Sequence, residues 1–381
     1  MIDVNMPVPT FVLPKAPAWL VLLSALATLA SCAGGAGAVP PVPLDCASVL
    51  AGTEPPPPAD FVGPLEYVTI DSFKIAYRRV AALGPASGGA CAADPREPPL
   101  VMLLGYGGTM AQWGTRLLSR LAQRRELILV DYPAQGLSED LVGGSYPMTM
   151  PVLAQFALGF IKALGLRRPH LAGFSLGGCI ALKLAAEHPE AVGKVVTFGA
   201  NSLDGRAVLG SPEELGALFV PTNGLPEYAP FFFNTSTPAG RLAACRWIGN
   251  AAAMPEDDAK PEANQRYAAG IMASVDPQNT AIWDALPGIQ VPVLLMGGLE
   301  DIVVPPHAQP ELAARIPGAW LAQFPSAGHA VFSQLLEPVA ATVDVFLQHS
   351  GPAATADAAA AALEAPGEGV CRSGASAAAS A

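Results

Sequence analysis

A serine between two glycines is the first set of residues that could do chemistry. Gly173-Phe174-Ser175-Leu176-Gly177 fits the pattern G-x-S-x-G. Such a serine sits on a sharp turn between a strand and a helix, and the flanking glycines leave room where larger side chains would clash. The apolar stretch HLAGF before it and the small-residue stretch LGGCIALKLAAE after it provide that setting. Because a helix N-terminus also directs amides at developing negative charge, Ser175 is predicted to be a nucleophile.

This segment resembles the α/β-hydrolase superfamily, and the likeness covers residues from about 67 to 349. In that family the acid follows the serine along the chain and a histidine comes last. Downstream of the serine, the apolar stretch VPVLLMGG runs into LEDIVVP, which is similar to the family's acid turn. The resemblance implies Asp301 as the acid. Two alternatives stay open: the neighbouring Glu300, and Asp204, which follows the preceding strand, where some family members keep the acid.

Five histidines compete for the role of general base, and the position of His329 suits it best. It lies in the stretch SAGHA, after a predicted strand and before the last predicted helix. A Gly-His loop there can bring an imidazole to the sheet edge where the nucleophile emerges. Asp301 would orient its Nδ1, and Nε2 would take the Ser175 proton. The other four lie at the start of the nucleophile strand, at helix ends or after the acid turn: His170, His188, His307 and His349.

Two backbone amides are expected to bind the oxyanion of the reaction. One is the N–H of Leu176, the residue after the nucleophile. The other lies after the apolar stretch LVMLL, where GYGG resembles the family's His-Gly-x-Gly loop with Leu104 in place of the histidine. Tyr106 N–H is the expected donor, and the replacement leaves the donors intact because they are main-chain groups. The stretch Asp131–Ser138 resembles a structural motif of the family and is given no catalytic role. No cofactor and no metal are expected, since neither a phosphate-binding loop nor Cys/His metal spacing occurs.

These side chains need a scaffold, and apolar strand-like stretches alternate with helix-like stretches along the chain. The predicted strands are Tyr67–Ile70, Phe73–Val80, Leu100–Leu104, Leu127–Val130, His170–Phe174, Val195–Phe198, Val291–Met296 and Trp320–Phe324. The predicted helices between them are Met110–Ala122, Val152–Leu164, Gly177–Glu187, Pro310–Ile316 and Val331–Gln348. This alternation predicts an α/β fold with a mostly parallel central sheet flanked by helices.

The alternation stops after the sixth predicted strand, from Asn201 to about Leu286. An insertion this long inside a compact domain needs its own structure. We expect a helical cap over one edge of the sheet, spanning residues 205–287, with the core in residues 65–204 and 288–350. The helix-like stretches of the cap, and an aromatic run between them, are Glu213–Phe219, Arg241–Ala253, Glu262–Ser274 and Phe231–Phe233.

Both ends of the chain are expected to lie outside the folded core. Residues 1–31 have the character of a signal peptide, because Ala16–Ser31 is an apolar run too short for a comfortable membrane span. The stretch LASC resembles the bacterial lipobox, in which Cys32 would carry a lipid and tether the protein to a membrane surface. Ordinary secretion, and an uncleaved anchor or spurious extension, are the alternatives. Residues 32–64, rich in Pro, Gly and Ala, are predicted to be an extended tether, and residues 351–381 a disordered Ala-rich tail.

An exported location would permit disulfides. Cys46 with Cys91, and Cys245 with Cys371, are candidate pairs, but the spacing leaves the connectivity open. Cys179, in the helix behind the predicted nucleophile, is interpreted as a small buried residue rather than a second nucleophile.

Composition and charge limit the classes of function. Of the 381 residues, 51% are hydrophobic and 14% charged, which provides ample material for a buried core. The net charge of −11 and the absence of a basic stripe argue against a nucleic-acid partner. We expect an exported, lipid-anchored hydrolase that cleaves a small or hydrophobic carboxylic ester through an acyl-serine intermediate. The alternatives are a catalytically silent binding protein of the same fold, or a lactonase, C–C hydrolase, aminopeptidase or cofactor-free haloperoxidase or perhydrolase.

Overall fold

The computed structural model describes residues 44–71, 73–84, 97–139, 148–211, 218, 225–256, 261–275 and 278–349. The predicted signal peptide, Cys32, Cys91, Cys371 and the predicted tail lie outside these residues. Within the described ranges, no helix is both long and apolar enough to cross a membrane.

The described residues form one eight-stranded sheet in the order β1-β2-β4-β3-β5-β6-β7-β8. The strands are β1 (Val62–Ile70), β2 (Phe73–Val80), β3 (Leu100–Leu103), β4 (Leu127–Val130), β5 (His170–Phe174), β6 (Val195–Phe198), β7 (Val293–Gly298) and β8 (Trp320–Phe324). The pairs β1/β2 and β2/β4 are antiparallel, and the other neighbours are parallel. Every residue of β3 to β7 is buried, since helices cover both faces, and this explains their uninterrupted apolar sequences.

Helices pack on both faces of the sheet. They are α1 (Cys46–Leu50), α2 (Thr115–Leu121), α3 (Met150–Ala163), α4 (Leu176–Glu187), α5 (Leu225–Phe232), α6 (Pro238–Ala252), α7 (Pro261–Ser274), α8 (Ala281–Ala285), α9 (Ala308–Arg315), α10 (Val331–Gln334) and α11 (Leu336–Gln348). Alternate residues of β3 enter different cores: Val101 and Leu103 pack with α3 and α4, whereas Leu100 and Met102 pack with α2 and α11. Helices α5 to α8 lie between β6 and β7, so the predicted fold class is confirmed, including helices inserted after the sixth strand.

Two predicted helices are each divided in two. The stretch Met110–Ala122 is a 3₁₀ turn at Met110–Trp113 followed by α2, because Gly114 between them has φ 70°, which a continuing helix cannot adopt. The stretch Val331–Gln348 divides into α10 and α11. Pro338 in the first turn of α11 has no N–H to donate to the carbonyl of residue 334, so the helical ladder breaks there.

The cap helices agree with the prediction only in part. Helix α6 corresponds to the predicted Arg241–Ala253, and α7 corresponds to Glu262–Ser274. The aromatic run Phe231–Phe233 lies at the end of α5. The predicted helix Glu213–Phe219 lies almost wholly outside the described residues.

A disulfide joins Cys46 in α1 to Cys245 in α6. The candidate pairs Cys46 with Cys91 and Cys245 with Cys371 are therefore wrong. The bonded cysteines are 199 positions apart, and only folding of the cap against the core brings them together. The bond also attaches α1, which lies within the predicted tether, to the cap. A cross-link that closes so long a loop restricts the unfolded chain strongly.

Acid should weaken the fold through His170. This residue is buried, its Nδ1 accepts the Lys194 N–H at 3.0 Å, and burial, with the charges of Lys194 and Arg125, lowers its pKa to about 4. Because the unfolded chain binds a proton on His170 near pH 6.5 and the native state does not, stability present above that pH is lost as pH falls towards 4. His170→Asn keeps an acceptor and removes this loss.

The measurement is urea unfolding of both proteins from about pH 7 to about pH 4.5. Between these two pH values, we expect the free energy of unfolding to fall by about 2 kcal/mol more in the wild type than in His170→Asn. Parallel pH curves for the two proteins would contradict the interpretation.

Candidate active site

Ser175 sits on a strained turn between β5 and α4. Its φ of 49° and ψ of −118° are rare for a residue with a side chain. The turn is held on both sides: the Ser175 N–H donates to the Phe198 carbonyl in β6 at 2.8 Å, and its carbonyl accepts the Gly178 and Cys179 N–H groups at 2.9 and 3.1 Å. The serine side chain is therefore presented at the carboxyl end of β5.

The two glycines of G-F-S-L-G are required by close backbone contacts. A Cβ on Gly173 would lie 2.4 Å from the Gly177 carbonyl oxygen, and a Cβ on Gly177 would lie 2.0 Å from the Leu103 carbonyl oxygen in β3. Since real Cβ atoms do not approach oxygen this closely, no other residue type fits either position without moving α4 away from the sheet.

Asp301 and His329 form a buried pair. The Nδ1 of His329 lies 2.7 Å from Asp301 Oδ2, and the two side chains are each only 1% exposed. Asp301 Oδ1 accepts the N–H groups of Val303 and Val304, both at 2.9 Å. Because a carboxylate can only accept, this hydrogen bond needs a proton on Nδ1, and the Nδ1–H tautomer leaves Nε2 as an acceptor.

Two aromatic rings enclose the imidazole of His329. Phe174, the residue before the nucleophile, has its ring centroid 4.8 Å from that of His329. The ring centroid of Phe232 in α5 lies 5.4 Å from that of His329. The Phe232 carbonyl also accepts the Ala330 N–H at 3.2 Å. His329 Nε2 is buried and has no hydrogen-bond partner among the described residues. The rings thus hold the imidazole in place and exclude water from it.

Gly199, directly after β6, connects Ser175 with the Asp301–His329 pair. It lines a cavity together with Ser175, and a Cβ on it would lie 2.8 Å from His329 Nδ1 and 3.2 Å from Asp301 Oδ2. Strands β5, β6 and β7 are parallel neighbours, so their carboxyl ends meet at one sheet edge. Gly199 was not among the predicted site residues, although its position just after a predicted strand was the available signal.

The two predicted oxyanion-binding residues lie beside the serine. Tyr106 and Leu176 line the same cavity as Ser175, and a Cβ on Gly105 would lie 3.2 Å from Ser175 Cβ. Leu176 is the first residue of α4, so its N–H has no acceptor within the helix. The loop 105–108 and the start of α4 therefore face the nucleophile from two sides.

A buried asparagine of the cap fixes the loop that contains Tyr106. The Tyr106 hydroxyl donates to the Asn264 carbonyl oxygen in α7 at 3.2 Å. Asn264 Oδ1 accepts from Gln135 Nε2 at 3.0 Å, and its Nδ2 donates to the Tyr228 hydroxyl at 3.4 Å. Burial raises the pKa of Tyr106, which keeps the phenol neutral as a donor. No local sequence signal marks Asn264, because its partners come from distant parts of the chain.

Comparison with known proteins identifies the family. The sequence pattern of the alpha/beta hydrolase fold matches residues 98–334. The chain belongs to this family. A segment of 276 residues is 26% identical to the biotin biosynthesis bifunctional protein BioHC of Teredinibacter turnerae, covering 68% of this chain and 46% of that protein. A segment of 275 residues is 27% identical to the rhodomycin D methylesterase DauP of Streptomyces sp. strain C5, covering 66% and 91%.

A solved structure agrees with the family assignment. The alpha/beta hydrolase fold protein from Chitinophaga pinensis superposes with a TM-score of 0.61 at 25% identity, covering 75% of this chain and 98% of that one. Membership of the α/β-hydrolase family and relatives with names such as methylesterase support hydrolase activity for this chain, without specifying the bond that is cleaved.

The alternative acids have other partners in this α/β-hydrolase. Asp204 accepts from the Ser202 hydroxyl at 2.8 Å and from the Trp283 N–H at 2.6 Å, so it attaches the loop after β6 to helix α8. Glu300 is exposed and accepts from Asn234 Nδ2 at 3.2 Å. Within the described ranges, Asp301 is the carboxylate that contacts His329.

The remaining histidines lie away from this pair. His188 is half-buried at the end of α4, with Nδ1 3.3 Å from Glu190. His349 follows α11 and packs on Trp320, and His307 is exposed at the start of α9. His170, at the amino end of β5, lies at the opposite edge of the sheet from Ser175.

The Cys179 thiol is buried behind Ser175 and donates to its carbonyl oxygen at 3.3 Å. Burial raises the pKa of this thiol to about 12, so it is protonated at neutral pH and is a poor nucleophile. A cavity of about 370 Å³ between α2, α6 and α11 has none of Ser175, Asp301 or His329 in its lining. In the part of the chain that is described, no group of three or more His, Cys, Asp or Glu could hold a metal ion.

Replacing Gly199 by alanine should displace His329. The added Cβ would lie 2.8 Å from His329 Nδ1, at a residue whose φ is +57°. We expect a loss of about 1–3 kcal/mol in stability from the strained backbone and the clash, together with a loss of hydrolytic activity of at least about tenfold.

Gly318→Ala is the matched control, because Gly318 has φ +67° but no atom within 4 Å of an added Cβ. It should show a similar backbone strain and unchanged activity, as measured by thermal unfolding and by hydrolysis of a p-nitrophenyl ester. Equal loss of activity in both variants would show that the contact with His329 is unimportant.

Proposed function

We propose that this α/β-hydrolase cleaves carboxylic esters through an acyl intermediate on Ser175. The observation that carries the proposal is the buried Asp301–His329 pair, whose Nδ1 to Oδ2 distance is 2.7 Å and whose free Nε2 is the acceptor that a serine proton needs. In the first step Ser175 Oγ attacks the ester carbonyl and His329 Nε2 takes its proton. Asp301 orients the ring and stabilises the imidazolium that forms.

The N–H groups of Tyr106 and Leu176 would stabilise the oxyanion of the tetrahedral intermediate. Collapse of this intermediate breaks the bond to the alcohol, which leaves with the proton returned by His329. Water then attacks the acyl-serine in the same manner, with His329 as base, and releases the carboxylic acid and Ser175. DauP, named as a methylesterase, is a relative with the same type of proposed chemistry.

The competing proposal is a catalytically silent protein of the same fold that only binds its ligand. A fluorophosphonate probe distinguishes the two, because it reacts only with an activated serine. We expect the folded protein to gain one adduct on Ser175, seen by mass spectrometry, and Ser175→Ala to gain none and to lose ester hydrolysis. An unlabelled Ser175 in the folded protein would overturn the esterase proposal.

The acid is tested by a pair of matched variants. Asp301→Asn should lower kcat by about 10³–10⁴-fold, because an amide no longer holds the His329 tautomer that leaves Nε2 as base. Asp204→Asn changes a comparably buried residue, since the whole residue is 1% exposed for Asp204 and 4% for Asp301. This variant should lower stability while leaving activity within about threefold. Activity retained in Asp301→Asn and lost in Asp204→Asn would move the acid to Asp204.

We also propose that the protein is exported. The predicted signal peptide and the lipid on Cys32 are sequence-based expectations, and the Cys46–Cys245 disulfide supports export because disulfides persist in oxidising compartments. Fractionation of cells expressing wild type and Cys32→Ala tests the anchor: the wild type should sediment with membranes and the variant should be released. Wild type that remains in the cytoplasm would contradict export.

A further inference from the structure

The cavity beside Ser175 is small. Its volume is about 40 Å³, whereas sites for drug-sized ligands measure several hundred Å³. Since a cavity needs about 10–15 Å³ to hold one water molecule, this one accepts about three groups of that size. It is lined by Tyr106, Ser175, Leu176, Cys179, Gly199, Asn201, Leu203, Leu209, Leu218, Ile271, Val303 and Val304.

Apart from the Ser175 hydroxyl and the backbone amides of Tyr106 and Leu176, which the reacting ester group would itself occupy, the described lining of this cavity offers no partner for a charge. None of the described residues that line it is Asp, Glu, Lys, Arg or His. Both ends of the Asn201 amide are occupied: Oδ1 accepts the Leu203 N–H at 2.8 Å, and Nδ2 donates to the Val208 carbonyl at 3.0 Å. The Tyr106 hydroxyl donates to Asn264. A carboxylate placed here would lose its hydration without compensation, so the cavity suits an uncharged apolar group.

The position of the cavity decides which half of an ester it can hold. The alcohol must leave past His329, because Nε2 returns the proton to it. The acyl carbon stays on Ser175, with its oxygen at the amides of Tyr106 and Leu176. The cavity is lined by these three residues. On the side of the Asp301–His329 pair it is lined by Gly199, Val303 and Val304, which lie against Nδ1 and the carboxylate, and His329 itself is not in the lining. This places the cavity on the acyl side of the scissile bond.

We propose that this cavity is the acyl-binding subsite and restricts the enzyme to esters of uncharged acyl groups of about two to four carbons. This inference rests on the proposed esterase function and adds the substrate class. Ile271 of cap helix α7 lines the cavity from the cap, and Cys179 of α4 lines it from the core. Ile271, the larger of the two, sets the length limit.

The test is the acyl-chain profile of kcat/KM, measured with p-nitrophenyl acetate, butyrate, octanoate and hemisuccinate. Wild type should prefer acetate and butyrate over octanoate and over the charged hemisuccinate, each by at least about 100-fold. Ile271→Ala should raise the activity on octanoate relative to butyrate by at least about tenfold, because it removes three carbon atoms from the wall.

Ile282→Ala is the matched control. Ile282 in α8 is as buried as Ile271, at 4% exposure for each, and it does not line the cavity. It should lose similar stability and keep the wild-type profile. Cys179→Ala is a second enlarging variant with a smaller volume change, and it should shift the profile in the same direction by a smaller amount. It provides the test should Ile271→Ala fail to fold.

Three results would overturn the subsite. The first is wild type that hydrolyses octanoate as fast as butyrate. The others are an unchanged acyl-chain profile in the folded Ile271→Ala and Cys179→Ala variants, or a shift of that profile in Ile282→Ala as large as in Ile271→Ala. In each, the fluorophosphonate adduct on Ser175 would still form, and the esterase proposal would survive. Absence of both the adduct and any ester hydrolysis would instead overturn the esterase function and the subsite with it.

Discussion

A buried carboxylate needs hydrogen bonds to replace those with water. The hydrogen bonds that Asp301 accepts connect the turn after β7 with His329 at the carboxyl end of the sheet. One oxygen accepts two backbone N–H groups of the turn that follows β7, and the other accepts the Nδ1–H of His329. The bond is short, with 2.7 Å between Nδ1 and Oδ2. Because both side chains are almost fully buried, it is shielded from solvent, and breaking it would leave two buried polar groups unpaired at a large cost in free energy. It determines the histidine tautomer and so leaves Nε2 as the free acceptor. Gly199, Phe174 and the cap are arranged around this bond.

The parallel strands bring the site residues together at one end of the sheet, and the cap helices cover them. The carboxyl ends of β5, β6 and β7 carry Ser175, Gly199 and the acid turn, so chemistry from positions far apart in the chain converges at one edge. The inserted helices then cover it: Phe232 packs on His329, and Asn264 fixes the loop that contains Tyr106. The Cys46–Cys245 disulfide attaches helix α1 to the same cap. A cap built this closely leaves little space beside Ser175, and this limits the acyl group in our proposal.

Local sequence predicted most of the core elements because buried parallel strands are continuous apolar runs that need no knowledge of their neighbours. It was least accurate where one residue breaks a regular pattern. Gly114, with φ 70°, and Pro338, without an N–H, each divide a helix whose apolar spacing continues through the break. The disulfide pairs were wrong for another reason: spacing along the chain carries no information on which cysteines meet when 199 residues separate them.

The sequence by itself determined the fold class and named the serine, acid and histidine candidates. A strand–turn–helix serine with flanking glycines, an acid turn and a late Gly-His loop are short patterns whose physical causes are local. Only the tertiary structure decided that Asp301 rather than Asp204 contacts His329, because both carboxylates follow strands and differ only in what packs against them. It alone placed Gly199 behind the imidazole and Asn264 behind the Tyr106 loop. The size of the cavity beside Ser175 also belongs to the tertiary structure, since its walls come from β5–α4, the loop after β6, the acid turn and cap helix α7 together.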